Sequence, residues 1–251
     1  MIILFTDFGY GGSYVGEMHM AIHGVAPEAV VIDLVHDAPA HNPKAAAYLL
    51  AALADRFPIG AFCVGVVDPG VGGDRPPIIM RADNRWFVGP GNGLFEIVGR
   101  RASAAAIWPL SWRPPSLSRS FHGRDLFAPM AAKLALGQAS DQIPDEDCAQ
   151  DWFLDKNRPG ADWPDDLPEI IHIDGFGNAI TGIRADIAPP TDSLRIGDHV
   201  LAPAGVFGDA PPGAGCWYRN SAGLVEIAVN QGNAAETLSL ATGDNVHFQA
   251  A

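Results

Sequence analysis

Basic residues are scarce in this chain: 16 Lys and Arg stand against 29 Asp and Glu, a formal net charge of −13 over 251 residues. A broad basic face is what nucleic acid and anionic membranes require, so neither is an expected partner. Cysteine is also rare. Cys63, Cys148 and Cys216 are odd in number and far apart, and no CxxC pair exists. That excludes a zinc ribbon and a disulfide scaffold. There is no HExxH, no GxxxxGK[ST] and no GxSxG. The histidines are scattered, so no metal site is expected and no cofactor is called for. No apolar run reaches transmembrane length. Met1 to Asp7 has no basic leader and reads as a strand, so a cytoplasmic location is expected.

What remains is a globular chain, 48% hydrophobic, long enough for one large domain or two modest ones. Strand-like runs at Ile2–Phe5, Ala29–Val35 and Ala61–Val67 alternate with helical stretches at Tyr14–His23 and Lys44–Arg56. Ala29–Val35 reads as a second buried strand. Ser13 reads as an N-cap, and Asn42-Pro43 as an N-cap followed by proline at the first helical position. Pro77–Arg81 and Arg85–Val88 flank Asp83-Asn84, which predicts a hairpin. A short helix follows from Leu94, a strand at Ala104–Trp108, and a helix over Asp125–Leu136. Alternation of this kind predicts a mostly parallel sheet with helices on its faces.

From Ala139 to Leu167 acids and prolines cluster and periodicity fades. Beyond lie short strand-like runs at Glu169–Ile173, Ala179–Ile183, Leu194–Ile196, His199–Ala202, Gly223–Val229 and Asn245–Gln249. The expected architecture is an N-terminal α/β domain with a mostly parallel sheet (1–150), a linker (151–167) and a small C-terminal β-barrel-like domain (168–251).

The stretch Val66-Val67-Asp68-Pro69-Gly70-Val71-Gly72-Gly73-Asp74-Arg75 leaves the third strand through a proline and three glycines. Ligands of open α/β sheets bind beyond the carboxyl ends of strands. Asp68 and Arg75 flank the glycines there. Three further stretches stand out: Phe5-Thr6-Asp7-Phe8-Gly9, Phe121-His122-Gly123-Arg124-Asp125, and Asp174-Gly175-Phe176-Gly177-Asn178, the last echoed by Asn220-Ser221-Ala222-Gly223. In this order, these motifs resemble the S-adenosyl-L-methionine (SAM) hydroxide adenosyltransferase family. Its members are SAM hydrolases, relatives of the SAM-dependent fluorinase and chlorinase.

The resemblance implies a reaction: SAM plus water gives adenosine and L-methionine, with SAM as substrate and no cofactor. It implies that Asp68, Arg75 and His122 surround the water. The chemistry suits them. Attack at C5′ expels a neutral thioether, so the leaving group needs no acid. The difficulty is the nucleophile, since bulk water has a pKa of about 15.7. A guanidinium stabilises developing hydroxide, and a carboxylate or an imidazole can take its proton. Which of Asp68 and His122 is the base stays open at this point. The resemblance also gives Asn178 to the adenine edge and Phe176 and Phe207 to its two faces. It gives Ser221 to the methionine carboxylate and Asp174 to its ammonium group, and places Asp7 and Phe121 at the substrate. It implies a homotrimer whose sites pair the first domain of one subunit with the second domain of its neighbour.

Several positions depart from the relatives. The halogenases carry Tyr at Asp68, Thr at Val71 and Ser at Gly123. An anionic Asp68 would repel a halide by about 4 kcal/mol at about 4 Å with moderate screening, which favours hydroxide transfer over halogenation. Many members have an Asp where Gly12 stands, and the halogenases have an Arg at Ala222. The alternatives to hydrolysis are a halogenase and, kept open by Gly12 and Ala222, a SAM- or adenosine-binding protein without catalysis.

Overall fold

The computed structural model describes residues 1–142 and 152–250. Cys148 and the first residue of the expected linker lie outside the described residues. The chain divides into two units, Met1–Asp162 and Trp163–Ala251.

In the first unit, β1 (Ile2–Thr6), β2 (Val31–Val35) and β3 (Phe62–Val66) are joined by helices α1 (Tyr14–Val25) and α2 (Pro43–Ala54). They are followed by β4 (Pro77–Ala82), β5 (Arg85–Pro90), α3 (Glu96–Arg101), β6 (Ala105–Pro109) and α4 (Ala128–Ala135). The strands form one sheet in the order β2-β1-β3-β5-β4-β6. The pairs β1–β2, β1–β3 and β3–β5 are parallel, while β4 runs antiparallel to both its neighbours. Alternate residues face opposite sides of a strand. Ile2 and Leu4 of β1 join Val64, Val66, Met18, Ile22, Met130 and Ala131 in one core, and Ile3 and Phe5 are buried as well. The mostly parallel α/β unit is the one expected.

Local chemistry explains the joints. Asn42 caps α2, its side chain accepting from the Ala45 N–H at 3.1 Å, with Pro43 inside the first turn. Asp83 and Asn84 both take positive φ (44° and 61°), the type I′ geometry that suits a two-residue hairpin. Two expectations need correcting. Ser13 is the N-cap residue of α1 as expected, but its side chain makes no capping bond: its backbone is helical and its hydroxyl donates to Glu17 at 2.8 Å. Nor is β2 a buried strand. It lies at the sheet edge with only β1 beside it, and Ile32 is 40% exposed.

The second unit contains β7 (Leu167–Ile173), β8 (Ala179–Arg184), β9 (Ser193–Ile196), β10 (His199–Pro203), β11 (Gly215–Arg219), β12 (Leu224–Val229), α5 (Ala234–Thr237) and β13 (Val246–Gln249). Its sheet runs β13-β9-β10-β11-β12-β8-β7. The ends nearly meet: Glu169 bridges Asn245, and Ile170 exchanges backbone bonds with Gly243 and Asp244 at 2.8 and 2.9 Å. Ile170, Leu194, Leu201, Trp217, Val225 and Ile227 fill the interior. The β-barrel-like expectation holds. β11 and α5 were not foreseen. Among the described residues no helix is long and apolar enough to cross a membrane.

Candidate functional site

β3 ends at Val66, and two residues later Asp68 enters a loop closed by Val71 N–H to Asp68 O (3.2 Å) and Gly73 N–H to Gly70 O (3.0 Å). Gly72 has φ +76°, and a Cβ there would lie 2.3 Å from the Arg119 carbonyl oxygen. Only glycine allows both that φ and that approach. The loop is braced from behind by Asn92, whose Nδ2 donates to Val67 O at 2.9 Å. Sequence alone reads Gly89–Gly93 as a plain turn and gives no sign of this brace.

The loop turns Arg75 back onto Asp68. Arg75 Nε donates to both carboxylate oxygens at 3.0 Å, and Nη2 donates to Oδ2. The same Nη2 donates to His122 Nδ1 at 2.8 Å. The side chains of Asp68 and Arg75 are 3% and 11% exposed, so the pair is screened from solvent. The Phe127 ring lies 5.3 Å under the guanidinium carbon and meets His122 edge-on. The three side chains expected to act together are thus joined by hydrogen bonds, although the first and last lie 54 positions apart in the sequence.

His122 precedes a π-helical turn, Gly123–Phe127, that runs into α4. Pro129 lacks the N–H that would continue an α-helix and crowds the carbonyl four residues back. The Ala128 N–H bonds Gly123 O instead, five residues back, which widens the turn. The chemistry of His122 follows from its neighbour. A guanidinium only donates, so Nδ1 accepts, and that bond assigns the proton of the neutral ring to Nε2. Burial first, then the positive charge of Arg75, hold the His122 pKa below its ordinary value. Pairing with Arg75 also cancels most of the charge on Asp68, so the halide repulsion of an isolated carboxylate does not carry over.

Asp68 and His122 line a cleft of about 240 Å³ with Asp7, Phe8, Tyr14 and Phe121. Asp7 accepts from the His41 N–H at 2.9 Å. Phe121 meets Phe8 and Tyr14 edge-on at 5.6 and 5.2 Å. Phe8 and Tyr14 were not singled out in the sequence, where an isolated aromatic reads as core. Behind Phe8, Thr6 Oγ1 and buried His36 Nδ1 lie 2.8 Å apart, and His36 Nε2 and Asp33 2.9 Å apart.

In the second unit Asp174, Phe176, Asn178, Phe207 and Ser221 line a separate pocket of about 650 Å³. Asp174 Oδ1 accepts from the N–H groups of Phe176 and Asn178 at 2.9 Å, and Oδ2 from Asn178 Nδ2 at 3.3 Å. These bonds shape the turn and leave the Phe176 ring 81% exposed. Gly177 (φ +83°) completes it, its Cα facing the Asn233 side chain so closely that a Cβ would sit 2.1 Å from it. Tyr218, Asn220 and Glu226 also line this pocket and were missed. Among the described residues no group of three His, Cys, Asp or Glu side chains is arranged to hold a metal.

Comparison with known proteins decides what these two sites belong to. A family model described as the SAM hydroxide adenosyltransferase N-terminal domain matches residues 2–144, and one described as its C-terminal domain matches residues 168–247. This chain belongs to the SAM hydroxide adenosyltransferase family. A protein of Salinispora arenicola named (R)-S-adenosyl-L-methionine hydrolase is 36% identical over 98% of this chain and 96% of its own length. One of the same name from Thermus thermophilus is 36% identical over 96% of each. A crystal structure of an uncharacterised conserved protein from Thermotoga maritima superposes with a TM-score of 0.85 at 31% identity, covering 99% of both chains. The family's N-terminal model spans Asp68, Arg75 and His122, and its C-terminal model spans Asp174 to Ser221.

Proposed function

We propose that this chain hydrolyses SAM to adenosine and L-methionine, with Asp68, Arg75 and His122 handling the water and the second-unit pocket holding the nucleoside. Family membership supports the reaction. The observation that carries the residue roles is the single guanidinium nitrogen that bonds both Asp68 and His122. Water attacks C5′, the C5′–S bond breaks with its electron pair passing to sulfur, and the sulfonium becomes neutral methionine. The water gives up one proton. His122 offers Nε2–H as a donor, so Asp68 is the acceptor in this reading. A carboxylate has about four lone-pair sites, and Arg75 gives it two N–H groups, Nε–H shared between both oxygens and one from Nη2, so room for the proton remains. Arg75 stabilises negative charge as it develops on the attacking oxygen.

In the second unit, Phe176 and Phe207 would stack on the adenine and Asn178 read its edge. Ser221 and Asp174 would meet the amino-acid end, and Asp7 and Phe121 would contact substrate from the first unit. The same proposal includes a homotrimer, in which the water-handling set of one subunit serves the adenine pocket of its neighbour. It also includes a cytoplasmic location, which suits the unpaired Cys63 and Cys216.

The test is a product assay on purified protein with SAM, with and without chloride and chelator. Adenosine and methionine in equal amounts, unaffected by chelator, are expected. A 5′-halogenated adenosine, binding without turnover, or activity restored only by a divalent ion would overturn the reading.

A further inference from the structure

We propose that Glu226 is a positioning residue for the second-unit pocket, fixing through Tyr218 the wall at Phe207 and through Asn220 the turn that carries Ser221. The identity of the ligand rests on the SAM reading above.

Glu226 lies in the middle of β12, where every residue is buried, and is itself only 6% exposed. Its neighbours Val225 and Ile227 point into the barrel core. Glu226 has the opposite parity and lines the pocket. A carboxylate is costly to bury unless its oxygens are bonded. Both are. Tyr218, directly opposite on β11, donates its hydroxyl to Oε1. Asn220 Nδ2 donates to Oε2 at 2.9 Å.

Each bond reaches a pocket wall. The Tyr218 ring stands 6.2 Å from that of Phe207. Burial and the Glu226 bond push the Tyr218 phenol up, so it remains a donor at neutral pH. On the other side, Asn220 Oδ1 accepts from the N–H groups of Ala222 and Leu224, each at 2.9 Å. Those bonds require the amide oxygen, not the NH2, to face the turn. Glu226 accepts from the NH2 and so selects that sense of the amide. Ser221 sits inside the turn so fixed. Without the carboxylate the NH2 loses its acceptor, so the amide is held only by its two bonds to the turn, and the turn rests more on its backbone bonds, Asn220 N–H to Leu224 O (2.9 Å) and Gly223 N–H to Asn220 O (3.0 Å).

The pocket would hold the part of the substrate remote from the breaking bond. Loosening it weakens ground state and transition state alike, which raises KM and spares kcat. Steady-state kinetics with SAM on the wild type, Glu226→Ala, Glu226→Gln and Tyr218→Phe read this directly. Glu226→Ala should raise KM about tenfold with kcat almost unchanged, the scale of a lost charge-assisted bond. Glu226→Gln should recover most of KM, since its oxygen can accept from Asn220 and its NH2 can donate to the Tyr218 oxygen. Equal damage in the Gln and Ala variants would mean that charge acts rather than bonding, and would overturn the proposal. So would an unmoved KM in Glu226→Ala. If that variant fails to fold, Tyr218→Phe decides: a few-fold rise in KM supports the role and no change removes it. A wild type that neither turns over SAM nor binds adenosine removes the ligand reading and this role with it. Turnover in the wild type with unmoved variants removes this role alone.

Discussion

In the first unit Asp68, Arg75 and His122 are bonded to one another. In the second, Asp174 and Asn220 are bonded to the turns that carry them. Asp68, Arg75 and His122 meet side chain to side chain, and Arg75 adds to burial in lowering the His122 pKa. Asp174 and Asn220 instead accept from backbone N–H groups two and four residues ahead, so each shapes its own turn. The first arrangement suits groups whose charge must answer a developing oxyanion, because the donors are already in place before reaction. The second suits groups that hold a ligand, because order prepared in advance need not be imposed on binding. Substitutions in the first unit should therefore appear in kcat, and those in the second in KM.

The sharpest way to break this division is to mix two defective proteins. Asp68→Ala should lack turnover, and Asn178→Ala should be impaired through a raised KM, so the assay is run at SAM well below that KM. If the proposed homotrimer forms, the two refolded together should regain a measurable fraction of wild-type activity, because some interfaces would then pair an intact Asp68 with an intact Asn178. No recovery, with mixed trimers shown by sedimentation of tagged chains, would put both halves of the site on one chain. Next in size is Arg75→Ala, expected to lose about 2.7–4 kcal/mol of transition-state stabilisation while adenosine affinity hardly moves. Asp68 is left buried and unpaired in that variant, so its melting temperature must be measured beside its rate. Arg75→Lys should rescue only in part, since the planar fork is lost. An unchanged kcat in Arg75→Ala would remove Arg75 from the chemistry. Phe176→Ala tests the other side: loss of one stacking face should raise KM by the equivalent of about 1–3 kcal/mol, and a fall in kcat alone would blur the division.

The smallest effect is the pH response of His122. Its folded pKa is lowered, chiefly by burial and then by Arg75. The unfolded chain therefore takes up this proton first as pH falls. The stability linked to His122 is complete above the ordinary value of about 6.5 and is lost as pH drops through the folded pKa. Activity should follow the same window, because an imidazolium cannot accept from Arg75. The acid limb of kcat/KM should lie below pH about 6.5, and His122→Asn, whose amide oxygen can still accept, should flatten it. An acid limb that persists unaltered in His122→Asn would assign it to another group.

Both domains' architectures were legible because apolar periodicity and turn chemistry are local signals. The hairpin at Asp83-Asn84 and the cap at Asn42 follow from a few residues each. The motifs around Asp68, His122 and Asn178 were legible through resemblance. What escaped notice depends on distant partners. Ile32 is apolar like its neighbours in β2, and only the sheet order shows that no strand covers it. β11 is five residues long behind Pro211, Pro212 and Gly213, so its few residues give little alternation to read. Glu226 reads as an ordinary outward charge on a strand until Tyr218 is found opposite it. Ser13 has the composition of a cap but not its geometry.

Two of the left-handed glycines, at 72 and 177, predict how far each site can drift in a mutational library. At position 72 the obstacle is the carbonyl oxygen of Arg119, part of the main chain, and no neighbouring substitution removes it. Selection for activity should return glycine there every time. At position 177 the obstacle is the side chain of Asn233, which also caps α5 by accepting from the Glu236 N–H at 2.9 Å. A smaller residue at 233 opens that space at the expense of the cap. Double variants with Asn, which tolerates positive φ, at 177 and a smaller residue at 233 should therefore survive a screen in which every single change at 72 is lost, leaving the proposed nucleoside pocket freer to acquire new ligands than the proposed water site.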